Sequence, residues 1–147
     1  MNWVEEAKIL FYINKPEHFT NYEHCEECAE HDETLLSKTI DSIGLDEIGK
    51  EGWDPICFCS NEGKIYYMPS FIRLSLDTIK KEFYFGQFLL HLMYDGEDNS
   101  LFLFCSKKQK DFIASFLEFM IDTYAKEIER ECCTEDILRA HETWAKT

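Results

Sequence analysis

Glycine, proline and basic residues are all scarce in this chain of 147 residues, which has 6 Gly, 3 Pro and 15 Lys plus Arg against 29 Asp plus Glu. With so few glycines there is no Gly-x4-Gly-Lys, Gly-x-Gly-x2-Gly or Gly-x-Ser-x-Gly segment. The backbone cradles for phosphate and the strained serine elbow that those spacings build are therefore excluded. The scarcity of Lys and Arg leaves a net charge of −14, opposite in sign to what a phosphate backbone recruits, so nucleic acid is excluded as a direct partner. Long apolar runs are also missing. Even residues 83–94 contain Gln87 and His91, well short of the roughly 18 uninterrupted apolar residues of a membrane helix. The first residues, Met1-Asn-Trp-Val-Glu-Glu, are acidic where a secretory signal is basic, which predicts a cytoplasmic protein.

No repeat, linker or low-complexity tract breaks the sequence, and its length is that of one domain, so residues 1–147 are expected to fold as a single unit. A hydrophobic fraction of 45% with 12 Phe, 7 Tyr and 3 Trp is ample for a core and argues against disorder. The seven cysteines are odd in number, and several sit in apolar contexts such as Ile56-Cys57-Phe58-Cys59; they are expected to be reduced thiols, with Cys57, Cys59 and Cys105 packed as small hydrophobes.

Periodicity predicts helices at both ends. Trp3, Ala7, Leu10 and Phe11 share a helical face in residues 3–13, before Pro16. Ser106 and Gln109 have the spacing of a capping box, opening a long helix over residues 107–131 with Phe112, Phe116, Met120, Tyr124 and Ile128 along one stripe. Thr134 is placed to cap a last helix over residues 135–145. Leu45 to Ile48 reads as a short turn, residues 69–81 as a helix opening at Pro69, and residues 83–94 as a helix by length. Between these, residues 55–60 and 64–68 are rich in strand formers around Asn61-Glu62-Gly63, which predicts a β-hairpin over about 55–68. Residues 100–105 read as a third strand. The expected fold class is α+β, a small antiparallel sheet covered by several helices.

The chemistry is concentrated in residues 18–33. No Lys or Arg occurs between Lys15 and Lys38, while Glu17, Glu23, Glu26, Glu27, Glu30, Asp32 and Glu33 accumulate around His18, His24, Cys25, Cys28 and His31. Cys25-x2-Cys28-x2-His31 offers thiolate and imidazole ligands of the kind zinc takes in a tetrahedral set, with His18 as the nearest candidate fourth ligand and Cys57, Cys59, Cys132 or Cys133 open to that place only if the fold brings them close. His24, adjoining Cys25, is expected to point elsewhere. The competing reading is a helix over residues 25–36 that buries both cysteines. Neither His-Glu-x2-His nor the deaminase order of zinc ligands is present, which favours structural over catalytic zinc. The surrounding acids are expected to raise the thiol pKa values, against a thiol enzyme.

His18-Phe19-Thr20, His24-Cys25-Glu26-Glu27-Cys28-Ala29-Glu30-His31-Asp32-Glu33, Gly52-Trp53-Asp54-Pro55, Tyr66-Tyr67-Met68-Pro69 and Arg73-Leu74 together resemble a family of uncharacterised bacterial single-domain proteins of similar length. The resemblance covers nearly the whole chain and implies a bacterial protein of one domain, without supplying a mechanism. The functional expectation rests on charge: a non-enzymatic acidic interaction protein that binds a basic protein partner, such as an immunity-type inhibitor covering a cationic toxin site, with a structural zinc as its support. The alternative is a metal-dependent hydrolytic enzyme using the Cys/His/Glu cluster at 18–33.

Overall fold

The computed structural model of the chain describes residues 1–146. Its helices are α1 (Trp3–Leu10), α2 (Glu26–Leu36), α3 (Leu45–Ile48), α4 (Asn61–Asp77), α5 (Phe85–Met93), α6 (Ser100–Phe104), α7 (Lys107–Arg130) and α8 (Thr134–Trp144), with 3-10 turns at Glu51–Trp53, Pro55–Phe58 and Gly96–Asp98. There is no strand among the described residues. The α+β expectation is thus overturned, and the fold is all-helical.

Both expected β regions fail for a physical reason. In the supposed hairpin, Ile65, Tyr66, Tyr67 and Met68 are all buried in one run, so neither period 2 nor period 3.6 marks the segment and strand propensity alone misleads. Asn61-Glu62-Gly63 does not turn the chain but opens α4, with the Ser60 hydroxyl accepting from the Gly63 N–H at 3.1 Å. Gly63 is needed for closeness, since a Cβ there would lie 2.4 Å from Cys59 Sγ and 2.8 Å from Phe19 Cδ1. Pro69, expected at a helix start, lies inside α4. In the supposed third strand, Leu101 and Phe102 are buried whereas Leu103 and Phe104 are exposed. That pairing of neighbours on one side is helical rather than alternating. Asn99 caps α6 by accepting from the Phe102 N–H at 2.9 Å.

The chain divides into two compact units, Met1–Leu74 and Ser75–Thr147, with the boundary inside α4. In the first, the Asn2 side chain caps α1 by accepting from Glu5 N–H, and Phe11, Phe19, Leu35, Ile43, Ile48, Ile56 and Tyr67 are buried. Much of its backbone is irregular and is held by side chains. Tyr67 Oη donates to the carbonyls of Leu35 and Lys38, and Arg73 donates to those of Ile40 and Ile43 at 3.0 and 2.7 Å.

The second unit is held by apolar packing of α8 on α5 and α7. The capping box of α7 is formed as expected, Ser106 accepting from Gln109 N–H at 3.2 Å and Gln109 from Ser106 N–H at 2.9 Å. Along its stripe Phe116, Met120 and Ile128 are buried. Trp144 is fully buried, meets Phe102 edge-on at 5.2 Å, and donates its indole N–H to Leu92 O at 2.8 Å. No helix among the described residues is long and apolar enough to cross a membrane.

Candidate metal and thiol site

Residues 18–25 are laid against α2 by polar contacts. The buried Asp32 carboxylate, on α2, accepts from Phe19 N–H at 2.6 Å and Thr20 N–H at 3.1 Å, and Thr20 Oγ1 donates to Cys28 O at 2.6 Å. A buried carboxylate bonded to two backbone donors satisfies groups that the irregular segment leaves without helical partners. The chain is thereby fixed before it enters α2.

Cys25 is the N-cap of α2, with extended backbone angles of φ −164° and ψ 171°. That conformation swings its side chain back over the first turn, where Cys25 Sγ accepts from Cys28 N–H at 3.4 Å and lies 3.3 Å from Cys28 Sγ. The turn at Asn21 to His24, closed by His24 N–H to Asn21 O at 3.0 Å, brings His24 Nδ1 to 3.8 Å from Cys28 Sγ. His24, Cys25 and Cys28 thus present three ligand atoms, all within 4.8 Å of one another. They are a group that could hold a metal ion. The expectation that His24 points away is corrected: adjacent residues diverge on a regular element, but Cys25 is extended at a cap, and His24 addresses Cys28 four residues on.

His18 and His31 lie outside that group. His18 Nδ1 is 2.7 Å from Asp32 Oδ2, and its half-exposed ring stacks on Tyr22 at 3.8 Å. His31 is fully buried, with Nε2 3.2 Å from Glu27 and its ring against Trp53 and Phe58 at 4.6 and 4.8 Å; its Nδ1 has no hydrogen-bond partner. The helix weighed against a metal site is present as α2, and it buries Cys28 while leaving Cys25 exposed.

The chain matches no family model, curated protein or solved structure.

The two thiols differ sharply. The Cys28 N–H, followed by the His24 side chain and the Cys28 S–H, draws the Cys25 thiol down to about 7. Cys28 is moved up, first because its S–H donates to the Cys25 sulfur and then by burial. The expectation that nearby acids dominate fails at Cys25, because bonds at 3.3 to 3.4 Å outweigh carboxylates that stand in solvent. Elsewhere, burial pushes Cys59 and Cys105 up to about 12, as for inert packed thiols.

Proposed function

We propose that residues 18–36 form a small zinc-binding element in a non-enzymatic protein, with His24 Nδ1, Cys25 Sγ and Cys28 Sγ as ligands. The observation that carries this reading is the convergence of those three atoms within 4.8 Å. Two ligands of a tetrahedral zinc stand about 3.8 Å apart for sulfur at 2.3 Å from the ion. The distances of 3.3 and 3.8 Å fit after an opening of a few tenths of an ångström. Thiolate and imidazole select zinc over the oxygen-seeking calcium and magnesium. The fourth position falls to water or to a partner's side chain.

The test is metal content by mass spectrometry of the purified chain. One equivalent of zinc is expected, lost in Cys25→Ser and His24→Ala and retained in His18→Ala. A chain that purifies without zinc and takes none from a chromophoric zinc donor overturns the reading.

A second observation supports a role for the surface around the metal. Glu17, Glu23, Glu26, Glu30 and Glu33 are exposed, and none forms an ion pair among the described residues. Such a field attracts a basic protein and speeds its encounter, as an immunity-type inhibitor of a cationic toxin requires. Binding to basic candidate proteins should weaken steeply with salt and fall when Glu23, Glu26 and Glu30 are changed together to Gln; affinity indifferent to both changes rules the reading out.

A further inference from the structure

We propose that Cys25 and Cys28 form a thiol–disulfide exchange site whose preferred co-reactants are disulfides of positive charge, and which closes to an intramolecular disulfide. The inference goes beyond zinc binding and does not require it, although the two states use the same sulfurs and exclude one another. It stands first on reach. The sulfurs are 3.3 Å apart and a disulfide needs about 2.05 Å, so an approach of about 1.2 Å closes the bond. Cys25 sits at the N-cap of α2, outside the helix proper, and rotation about its side-chain bonds can supply that movement.

Access then assigns the roles. Cys25 is exposed and Cys28 is 7% exposed, so of this pair an incoming disulfide meets Cys25 first. The Cys25 thiolate, having lost its proton to solvent, attacks one sulfur of the co-reactant R–S–S–R. A Cys25–S–S–R bond forms, and RS⁻ leaves and takes up a proton. Cys28 then gives its proton to solvent and attacks Cys25 Sγ; the mixed disulfide breaks, and the second RS⁻ leaves to be protonated. The dithiol loses two electrons, and the co-reactant gains them as two thiols.

Charge selects the co-reactant. Glu23, Glu26 and Glu30, all within five residues of Cys25 in the chain, are exposed, Glu27 is half-buried, and no Lys or Arg lies between Lys15 and Lys38. An anionic disulfide such as oxidised glutathione approaches against this field, whereas a cationic one is drawn in.

The experiment uses the whole chain, its metal content already measured, stripped with chelator and fully reduced. Cystamine, as the cationic probe, and oxidised glutathione, as the anionic one, are compared at low and high salt, with peptide mapping of the product. A Cys25–Cys28 bond is expected, formed roughly tenfold or more faster with cystamine at low salt, the gap narrowing as salt screens the carboxylates. Cys28→Ser should stall as a mixed disulfide on Cys25. The proposal is overturned if mapping of the wild-type chain finds other cysteines oxidised and Cys25 and Cys28 still reduced, or if oxidised glutathione reacts as fast as cystamine. Because metal is absent throughout, neither result depends on whether zinc binds.

Discussion

The two units of this chain solve the same problem by different means. From Ser75 onward the helices satisfy their own backbone and are held by side chains such as Phe85, Phe88, Phe116 and Trp144, all fully buried. Before Leu74 the chain between α1 and α4 is largely irregular. There polar side chains hold it to backbone carbonyls and amides: Lys15 Nζ to Leu36 O and Lys38 O at 2.8 and 2.7 Å, Asp32 to Phe19 and Thr20, and Ser70 Oγ to Ile40 O at 2.7 Å. Backbone outside regular structure must find partners individually, and one consequence is a fixed, exposed turn. The group of His24, Cys25 and Cys28 sits at that turn, in the unit held by polar clamps.

The largest effect should come from breaking the apolar side of this contrast. Trp144→Ala removes a buried indole together with its bond to Leu92 O. It should cost about 3–5 kcal/mol in urea unfolding, the range for large aromatic truncations. A loss under about 1 kcal/mol, the scale of a surface change, means that packing around α8 does not carry the second unit.

The polar side breaks at Asp32. Asp32→Ala leaves the N–H groups of Phe19 and Thr20 without their acceptor, and His18 without its anchor. It should cost about 2–3 kcal/mol, the scale of abandoned buried donors. Asp32→Asn, which keeps one carbonyl acceptor, should cost less. Equal losses for Ala and Asn would show that volume, not hydrogen bonding, holds the segment.

Legibility in the sequence follows the same divide. Where a helix has one wet face and one dry face, as in α7, the pattern and its Ser106–Gln109 box are readable. Where a helix is enclosed, as in α4 around Ile65 to Met68, the pattern disappears and β-rich composition suggests a sheet that does not form. At the site, Cys25 and Cys28 stand out by spacing, but the third member of the cluster is His24 and not His31. The available signal was the interval of four between His24 and Cys28, which spans one helical turn once Cys25 is recognised as a cap; without the cap, His31 has the more persuasive spacing. In the sequence Asp32 is one acidic residue among many, and its role as a buried anchor follows from irregular backbone twelve and thirteen residues earlier, a relation no local pattern carries.

The smallest expected effect is a gain. At the end of α7, Cys133 N–H donates to Ile128 O at 2.9 Å and Cys132 N–H to Glu129 O at 3.0 Å, the paired bonds of a Schellman motif. Its left-handed position, at φ 61°, is occupied by Cys132, where glycine is the favoured residue because a Cβ is strained there. Cys132 is exposed, so its side chain contributes little packing to set against that strain. Cys132→Gly should therefore raise unfolding free energy by about 0.5–1 kcal/mol, the strain relieved less the extra entropy of glycine in the unfolded chain. The same substitution removes an exposed thiol that competes in oxidation experiments, so closure of Cys25 on Cys28 can be followed in a more stable background. A loss of stability would mean that Cys132 makes contacts worth more than its strained backbone costs, and that the second unit, too, depends on individual side chains at its chain reversals.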